Sequence, residues 1–292
     1  MPELPEIETV KRIIGPQVLG KRISSISCDK KKIIGHPSAD GYEKGILSHE
    51  IIGYDRRGKA LILYLDRGTL IFRFGMTGQM LFVPTDFPKE DHTHLTLGFD
   101  DGTELRYIDQ RMFGKTFFIS EGEEDVYSGI QRMGPEPFDK SMSGTYLKNK
   151  LGNREASIKE VLLDQSIVAG IGNIWGDEIL FRCGICPEAP CNMISDRKWK
   201  TIAATIPEVM EFGIEKNEIT PEEYLEGRGR KYYDIDYLQV YGRKDMSCFV
   251  CGTKIRRSEL GGRSSYWCPK CQKMPRKRSS SGAHERDLSI RI

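Results

Sequence analysis

Two Cys-x-x-Cys pairs, Cys248 with Cys251 and Cys268 with Cys271, stand sixteen residues apart near the C-terminus. No other feature limits the chain's options as strongly, because four thiolates at this spacing close a tetrahedral zinc site and leave the metal no position for water. The expectation is therefore one structural Zn2+ ion. Between the pairs, Lys254–Ser258 and Arg263–Trp267 flank Gly261-Gly262, the chemistry of a tight turn, so the metal would staple a β-hairpin too small to fold unaided. Such a ribbon can dock on protein or on nucleic acid. Arg256, Arg257 and Arg263 line it, and guanidinium groups on a β-ribbon favour phosphate.

The charge balance points the same way. The net charge is only +2, yet residues 241–292 hold 13 Lys and Arg against 4 Asp and Glu, whereas residues 1–240 hold 31 against 38. Basic charge gathered at one end suits a polyanion, most often nucleic acid; a solubilising tail is the blander explanation. The longest stretch without a charge, Gln165–Gly176, is too short for a membrane span, which needs about 18 apolar residues. Glu3, Glu6 and Glu8 open the chain without a cation, unlike a secretory or transit peptide. A cytoplasmic, nucleoid-associated protein with reduced thiols is expected. Cys183, Cys186 and Cys191 lack a nearby fourth ligand, and Cys183 falls in an apolar helical pattern, so a second metal site is not expected.

The first half is rich in short β-forming runs: Ala60–Leu65, Thr69–Phe74, Gln79–Val83, His94–Phe99, Thr103–Ile108 and Lys115–Ile119. Asp66-Arg67-Gly68 and Asp100-Asp101-Gly102 separate neighbouring runs, so antiparallel hairpins packed as a sandwich or barrel are predicted. Ahead of them Ile7, Val10, Ile13 and Ile14 recur at helical spacing, and Gly15 is expected to close that helix. Near Gly134-Pro135-Glu136-Pro137 the period becomes helical, marking a domain boundary. Ile158, Val161, Leu162 and Gln165 form one face, and helices are predicted over about Asn173–Phe181 and Asp196–Phe212. Four segments follow from this: 2–134, 135–240, the hairpin 241–274, and a polar basic tail, 275–292, expected to be disordered.

The N-terminus allows unusual chemistry. With Met1 removed, Pro2 would present a secondary amine, and α-amino groups titrate at about 7.7–8.0, so a usable fraction is unprotonated near neutrality. Such an amine can attack a sugar anomeric carbon and form an iminium ion, an electron sink for elimination. Glu3 beside it could act as general acid or base, particularly if burial raises its pKa. Prolines and acids equally suit the first turn of an ordinary helix. Similarly, Gly170-x-Gly172-Asn173 can be a plain helix connector or, through helix-start amides and the Asn173 side chain, a phosphate site.

Pro2–Thr9 (PELPEIET), Arg57-Gly58-Lys59, Gly75–Gly78 (GMTG), Asp164-Gln165 with Val168–Ile174 (VAGIGNI), and the four-cysteine ribbon together closely resemble the bacterial formamidopyrimidine-DNA glycosylase family, from Pro2 to about Lys273. The resemblance implies an α+β protein: an N-terminal antiparallel β-sandwich with its N-terminal helix as catalytic domain, a helical helix-two-turn-helix domain, and the zinc β-hairpin. It implies a bifunctional glycosylase and AP lyase that removes 8-oxoguanine and formamidopyrimidines from damaged duplex DNA in base excision repair. In that reading Pro2 attacks the anomeric carbon, Glu3 supplies acid and base catalysis, and β- and δ-eliminations cut the strand on both sides of the sugar. Lys59 would assist base release and elimination, and Arg263 would bind phosphate and assist δ-elimination; alone, Lys59 would read as a solvated turn lysine. Met76, Arg111 and Phe113 match the family's void-filling residues, required because the damaged nucleotide must leave the stack. His92, Arg154 and Asn173 match phosphate-contacting positions. A monomer is expected, without membrane contact.

The chain departs from the family pattern at Arg73 and Cys186, where histidines are usual, and at Gly227–Tyr233, in place of the loop that closes over the extruded base. Two rivals remain. An endonuclease VIII type enzyme would share the architecture and prefer oxidised pyrimidines; Leu4 and the Met76, Arg111, Phe113 set speak against it. A zinc-ribbon protein that binds damaged DNA without chemistry would not need Pro2, Glu3, Lys59 and Arg263 together.

Overall fold

The structure, a computed structural model, describes residues 2–229 and 236–275. It divides into two compact units, Met1–Arg132 with Ile214–Asp234, and Met133–Gly213 with Ile235–Ile292. The tail beyond Pro275 and positions 230–233 of the divergent loop lie outside the described residues.

The first unit begins with α1 (Leu4–Val18), whose Ile7, Val10, Ile13 and Ile14 are buried, as their spacing requires. The helix does not end at Gly15. It runs through Gly15 and Pro16, and the Leu19 N–H closes it on the Gly15 carbonyl at 3.1 Å. Gly15 serves close packing instead, since a Cβ there would come within 2.3 Å of the Tyr54 ring. The strands are β1 (Ile23–Cys28), β2 (Ile34–His36), β3 (Ile51–Arg57), β4 (Ala60–Leu65), β5 (Gly68–Arg73), β6 (Gly78–Pro84), β7 (Thr93–Phe99), β8 (Thr103–Asp109) and β9 (Lys115–Ile119), with helix α2 (Ala39–Ile46) between β2 and β3.

Two sheets result, in the orders β2-β9-β5-β4-β3 and β1-β7-β8-β6. All neighbours are antiparallel except β2 and β9. Leu61, Leu63, Leu70 and Phe72 from the first sheet and Met80, Leu95, Leu97 and Leu105 from the second share one core with α1, so the arrangement is a sandwich rather than a barrel. Residues 214–229 belong with this unit. Tyr224, on the short helix Pro221–Glu226, buries its ring in the sandwich core and donates its hydroxyl to the Met80 carbonyl at 2.8 Å.

The second unit carries helices α3 (Gly144–Leu151), α4 (Ile158–Leu162), α5 (Asn173–Arg182) and, as far as Gly213, α6 (Asp196–Lys216), then strands β10 (Arg256–Leu260) and β11 (Arg263–Trp267). Ser157 caps α4: its hydroxyl accepts from the Glu160 N–H at 3.3 Å. Gln165 does not continue the face of α4. It lies past the helix end, where its amide donates to the Leu163 and Ile171 carbonyls (3.0 and 2.8 Å) and accepts from the Gly170 N–H (2.9 Å), pinning the glycine turn ahead of α5. The hairpin strand reaches Leu260, two residues beyond Ser258, because Gly261 and Gly262, both at positive φ (53° and 72°), make the whole two-residue turn themselves.

Candidate active site and nucleic-acid interface

In the first unit, Pro2 and Glu3 sit at the start of α1 and both are buried. The Glu3 N–H donates to Glu6 Oε2 at 2.7 Å, and Glu6 Oε1 accepts from the Asn217 side chain at 3.4 Å. Thr9, one turn on, donates its hydroxyl to the Asn217 carbonyl at 3.0 Å. The helix start is thus braced by the 214–229 segment, a support that no local sequence signal marks.

Lys59 is half-buried in the two-residue turn that pairs Arg57 with Ala60, joining β3 to β4. Gly58 takes the positive φ of 54° that such a turn requires at its first position. Glu8, on α1, accepts from Arg56 Nε at 3.0 Å, and Arg56 Nη1 donates to the Gly58 carbonyl at 2.9 Å. Lys11 and Arg12 also reach Glu8, at 2.8 and 3.0 Å. Burial raises the Glu8 carboxyl, but the hydrogen bonds from Lys11 and Arg56 outweigh it and hold the group below its ordinary pKa.

Met76, Arg111 and Phe113 are all exposed, unusual for an apolar pair on loops of a packed sandwich, with Met76 at 39% and Phe113 at 56%. Asp109, fully buried at the end of β8, joins their two loops. Its Oδ1 accepts from the Thr77 hydroxyl at 2.5 Å and the Arg111 N–H at 3.3 Å, and its Oδ2 accepts from the Gly114 N–H at 2.7 Å. The Arg111 guanidinium lies 4.7 Å from the centre of the Phe113 ring. His92 is exposed at positive φ (64°), and its carbonyl accepts from the Asp109 N–H at 3.1 Å, so it belongs to the same frame. Sequence reasoning missed Asp109 because an aspartate at a strand end reads as a turn residue.

In the second unit Arg154 is exposed just after α3, and Asn173 is the first residue of α5. The Asn173 side chain is already engaged: Nδ2 donates to the Ser264 carbonyl at 2.9 Å, while Oδ1 is buried without a hydrogen-bond partner. A second tie lies below it. Buried Lys159 donates to Asp177 Oδ1 at 2.6 Å and to the Asn173 carbonyl at 2.7 Å, and Asp177 accepts from the Ser265 hydroxyl (2.7 Å) and the Tyr266 N–H (2.9 Å). Arg263, exposed at the first position of β11, therefore stands on a strand locked to α4 and α5. Arg257, also exposed, donates across the hairpin to Ser264, with Nη2 2.6 Å from its hydroxyl. Arg228 of the divergent loop lies instead in the first unit, on Glu90 at 2.8 Å.

Cys248, Cys251, Cys268 and Cys271 place their sulfurs within 4.8 Å of one another, and among the described residues they form the one metal-ligand cluster. The Cys248–Cys271 and Cys251–Cys268 pairs are 3.9 and 3.4 Å apart, close to the sulfur–sulfur edge of about 3.8 Å that four ~2.3 Å zinc–thiolate bonds make. The donor set fits a closed zinc site. Cys183 and Cys191 are buried thiols whose pKa burial pushes up to about 12, which suits small apolar packing groups.

Three stretches of the chain match known protein families. Residues 1–116 match the formamidopyrimidine-DNA glycosylase N-terminal domain, 133–223 the formamidopyrimidine-DNA glycosylase H2TH domain, and 248–273 a zinc finger found in FPG and IleRS. Formamidopyrimidine-DNA glycosylases of Desulforamulus reducens and Pelotomaculum thermopropionicum are 38% and 35% identical to the chain, each alignment covering 94% of it and 99% or 100% of the relative. Among solved structures, the wild-type Lactococcus lactis protein in complex with DNA containing an oxidised pyrimidine superposes with a TM-score of 0.83 at 31% identity, covering 93% of this chain and all of that one. A complex of the same protein with abasic-site DNA gives 0.83 at 30% identity, covering 93% of this chain and 99% of that one. Among the described residues, no helix is long and apolar enough to cross a membrane.

Proposed function

The chain belongs to the formamidopyrimidine-DNA glycosylase family, and from that premise we propose which of its residues carry the DNA glycosylase and AP lyase chemistry of base excision repair. The observation that carries the proposal is the buried Pro2–Glu3 end of α1, held in place by Glu6.

After Met1 is removed, the unprotonated Pro2 nitrogen attacks C1′ of the damaged nucleotide, the glycosidic bond breaks with its electrons leaving on the base, and the proton shed by the new C–N nitrogen ends on that base. Glu3 gives a proton to the sugar ring oxygen as the ring opens, leaving an iminium between Pro2 and C1′. The iminium acidifies C2′, whose proton passes to the now ionised Glu3 carboxylate as the 3′ phosphate departs in β-elimination; loss of the 4′ proton to a base then expels the 5′ phosphate in δ-elimination. Lys59 stands on its hairpin turn to assist base release and proton transfer, and Arg263 binds the phosphate that leaves in δ-elimination. Met76, Arg111 and Phe113 fill the space left by the extruded nucleotide, with Arg111 donating to the orphaned base and Phe113 wedging the stack. Their shared exposure and the common Asp109 anchor support that assignment. His92, Arg154 and the first-turn amides at Asn173 contact phosphates.

The fit of the four thiolates supports one zinc ion at Cys248, Cys251, Cys268 and Cys271. Bound there, it supplies a structural cross-link and no reactive position. We further propose that the enzyme acts as a monomer on oxidised purines, 8-oxoguanine and formamidopyrimidines, in duplex DNA. Excision assays on duplexes carrying 8-oxoguanine or thymine glycol test this. Faster release of 8-oxoguanine is expected, together with loss of strand cleavage in Pro2→Gly. Preferential release of thymine glycol would assign the pyrimidine specificity instead.

A further inference from the structure

Arg56 makes one connection that the chemistry above leaves unused. Its side chain and that of Glu8 are 8% and 9% exposed, and the two are joined Nε to Oε2 at 3.0 Å. The other arm of the same guanidinium, Nη1, donates to the Gly58 carbonyl at 2.9 Å. Glu8 lies on the helix that starts directly after Pro2 and Glu3, and Gly58 immediately precedes Lys59. One planar group therefore touches both the helix bearing the nucleophile and the turn bearing the lysine.

We infer that Arg56 is a positioning residue for the base-release step: clamped on Glu8, its guanidinium fixes the Gly58–Lys59 turn against α1 and thereby sets the Lys59 ammonium relative to Pro2. This rests on the roles given to Pro2 and Lys59 above. Apolar side chains of similar volume often replace a buried ion pair without loss of stability, so stability alone does not call for a charged pair here, whereas geometry does. A rigid fork suits the task because two of its N–H groups address two acceptors in one plane, whereas an ammonium on a flexible stem satisfies a single point. An anchor on the turn matters because small backbone rotations there are multiplied along the long lysine stem.

The test compares Arg56→Lys and Arg56→Gln with the unaltered enzyme and with Lys59→Ala. Single-turnover release of 8-oxoguanine is measured per binding-competent molecule, counted by stoichiometric titration with a duplex carrying a tetrahydrofuran abasic analogue. Both Arg56 variants are expected to lose roughly 10- to 100-fold in rate, the scale of an ångström-sized misplacement. Their Kd for the abasic duplex is expected to stay within about two-fold of the unaltered value, the signature of a lost transition-state contact rather than of lost binding. Arg56→Lys keeps the charge opposite Glu8 and so keeps the fold, which separates geometry from stability. Wild-type rates in Arg56→Lys and Arg56→Gln, with Lys59→Ala impaired, would overturn the inference alone. A wild-type rate in Lys59→Ala would instead remove the role of Lys59 and the inference with it.

Discussion

At the residue scale the site is held together by buried carboxylates. Asp109 gathers Thr77, Arg111 and Gly114 onto two oxygens, and so holds the loops of Met76 and Phe113 together. Asp109→Asn leaves one oxygen for these donors and turns an amide N–H toward another; a stability loss of about 1–3 kcal/mol in denaturant unfolding is expected. Glu3 is a different case, since its carboxyl is assigned to proton transfer. Glu3→Gln is expected to slow base release by roughly 100-fold or more while abasic-duplex affinity is retained, the loss typical of a missing general acid. Glu8, held below its ordinary pKa, sets a pH dependence. The folded chain binds fewer protons at Glu8 than the unfolded chain does, so the stabilisation is complete above the unfolded carboxyl's pKa and fades as pH falls through the folded value. The stability difference between the parent and Glu8→Gln, followed by unfolding from pH 7 into the acid range, is expected to shrink below about pH 4.5. Pro2 and Glu3 could be proposed from the sequence because the chemistry assigned to them depends on position in the chain. Arg56 and Asp109 were not, because their roles arise from partners on other strands and helices.

At the scale of elements, sequence pattern located β4 through β9 within a residue or two, since each alternates or buries a continuous apolar run between turn residues. β1 and β3 escaped because serines, charges and Gly53 dilute their apolar positions, and their register is fixed by neighbours in the sheet. Gly15 and Gln165 misled for the same reason. One reads locally as a helix stop and is a packing contact with Tyr54; the other continues a helical period and is a clasp on the turn before α5. The tie from α4 and α5 to the hairpin strand was also hidden, because Lys159 reads as a surface residue until Asp177 is placed beside it. Asp177→Ala strands that ammonium in the interior, and a loss of roughly 3–5 kcal/mol in unfolding is expected. Calorimetry on the zinc-loaded protein measures it, and Lys159→Met/Asp177→Leu, which removes both charges, is expected to recover most of the loss.

At the scale of the whole molecule, the family match extends over both compact units, and attraction of DNA phosphates to the basic charge gathered after residue 240 is the expectation that follows. Because that attraction works by releasing counterions, the logarithm of the DNA association constant should fall linearly and steeply with the logarithm of salt concentration. A flat titration would contradict the assigned phosphate contacts. Removal of zinc by chelation is expected to melt the hairpin and abolish DNA binding while the sandwich stays folded; full affinity after verified metal loss would contradict that coupling. The central claim, a carbon–nitrogen bond between the processed N-terminal proline and deoxyribose, is tested most directly by borohydride reduction during turnover followed by intact-mass and peptide analysis. A covalent DNA adduct on the Pro2 nitrogen of protein lacking Met1 is the expected result. Full-rate excision by protein that keeps Met1, or that yields no adduct, would contradict it.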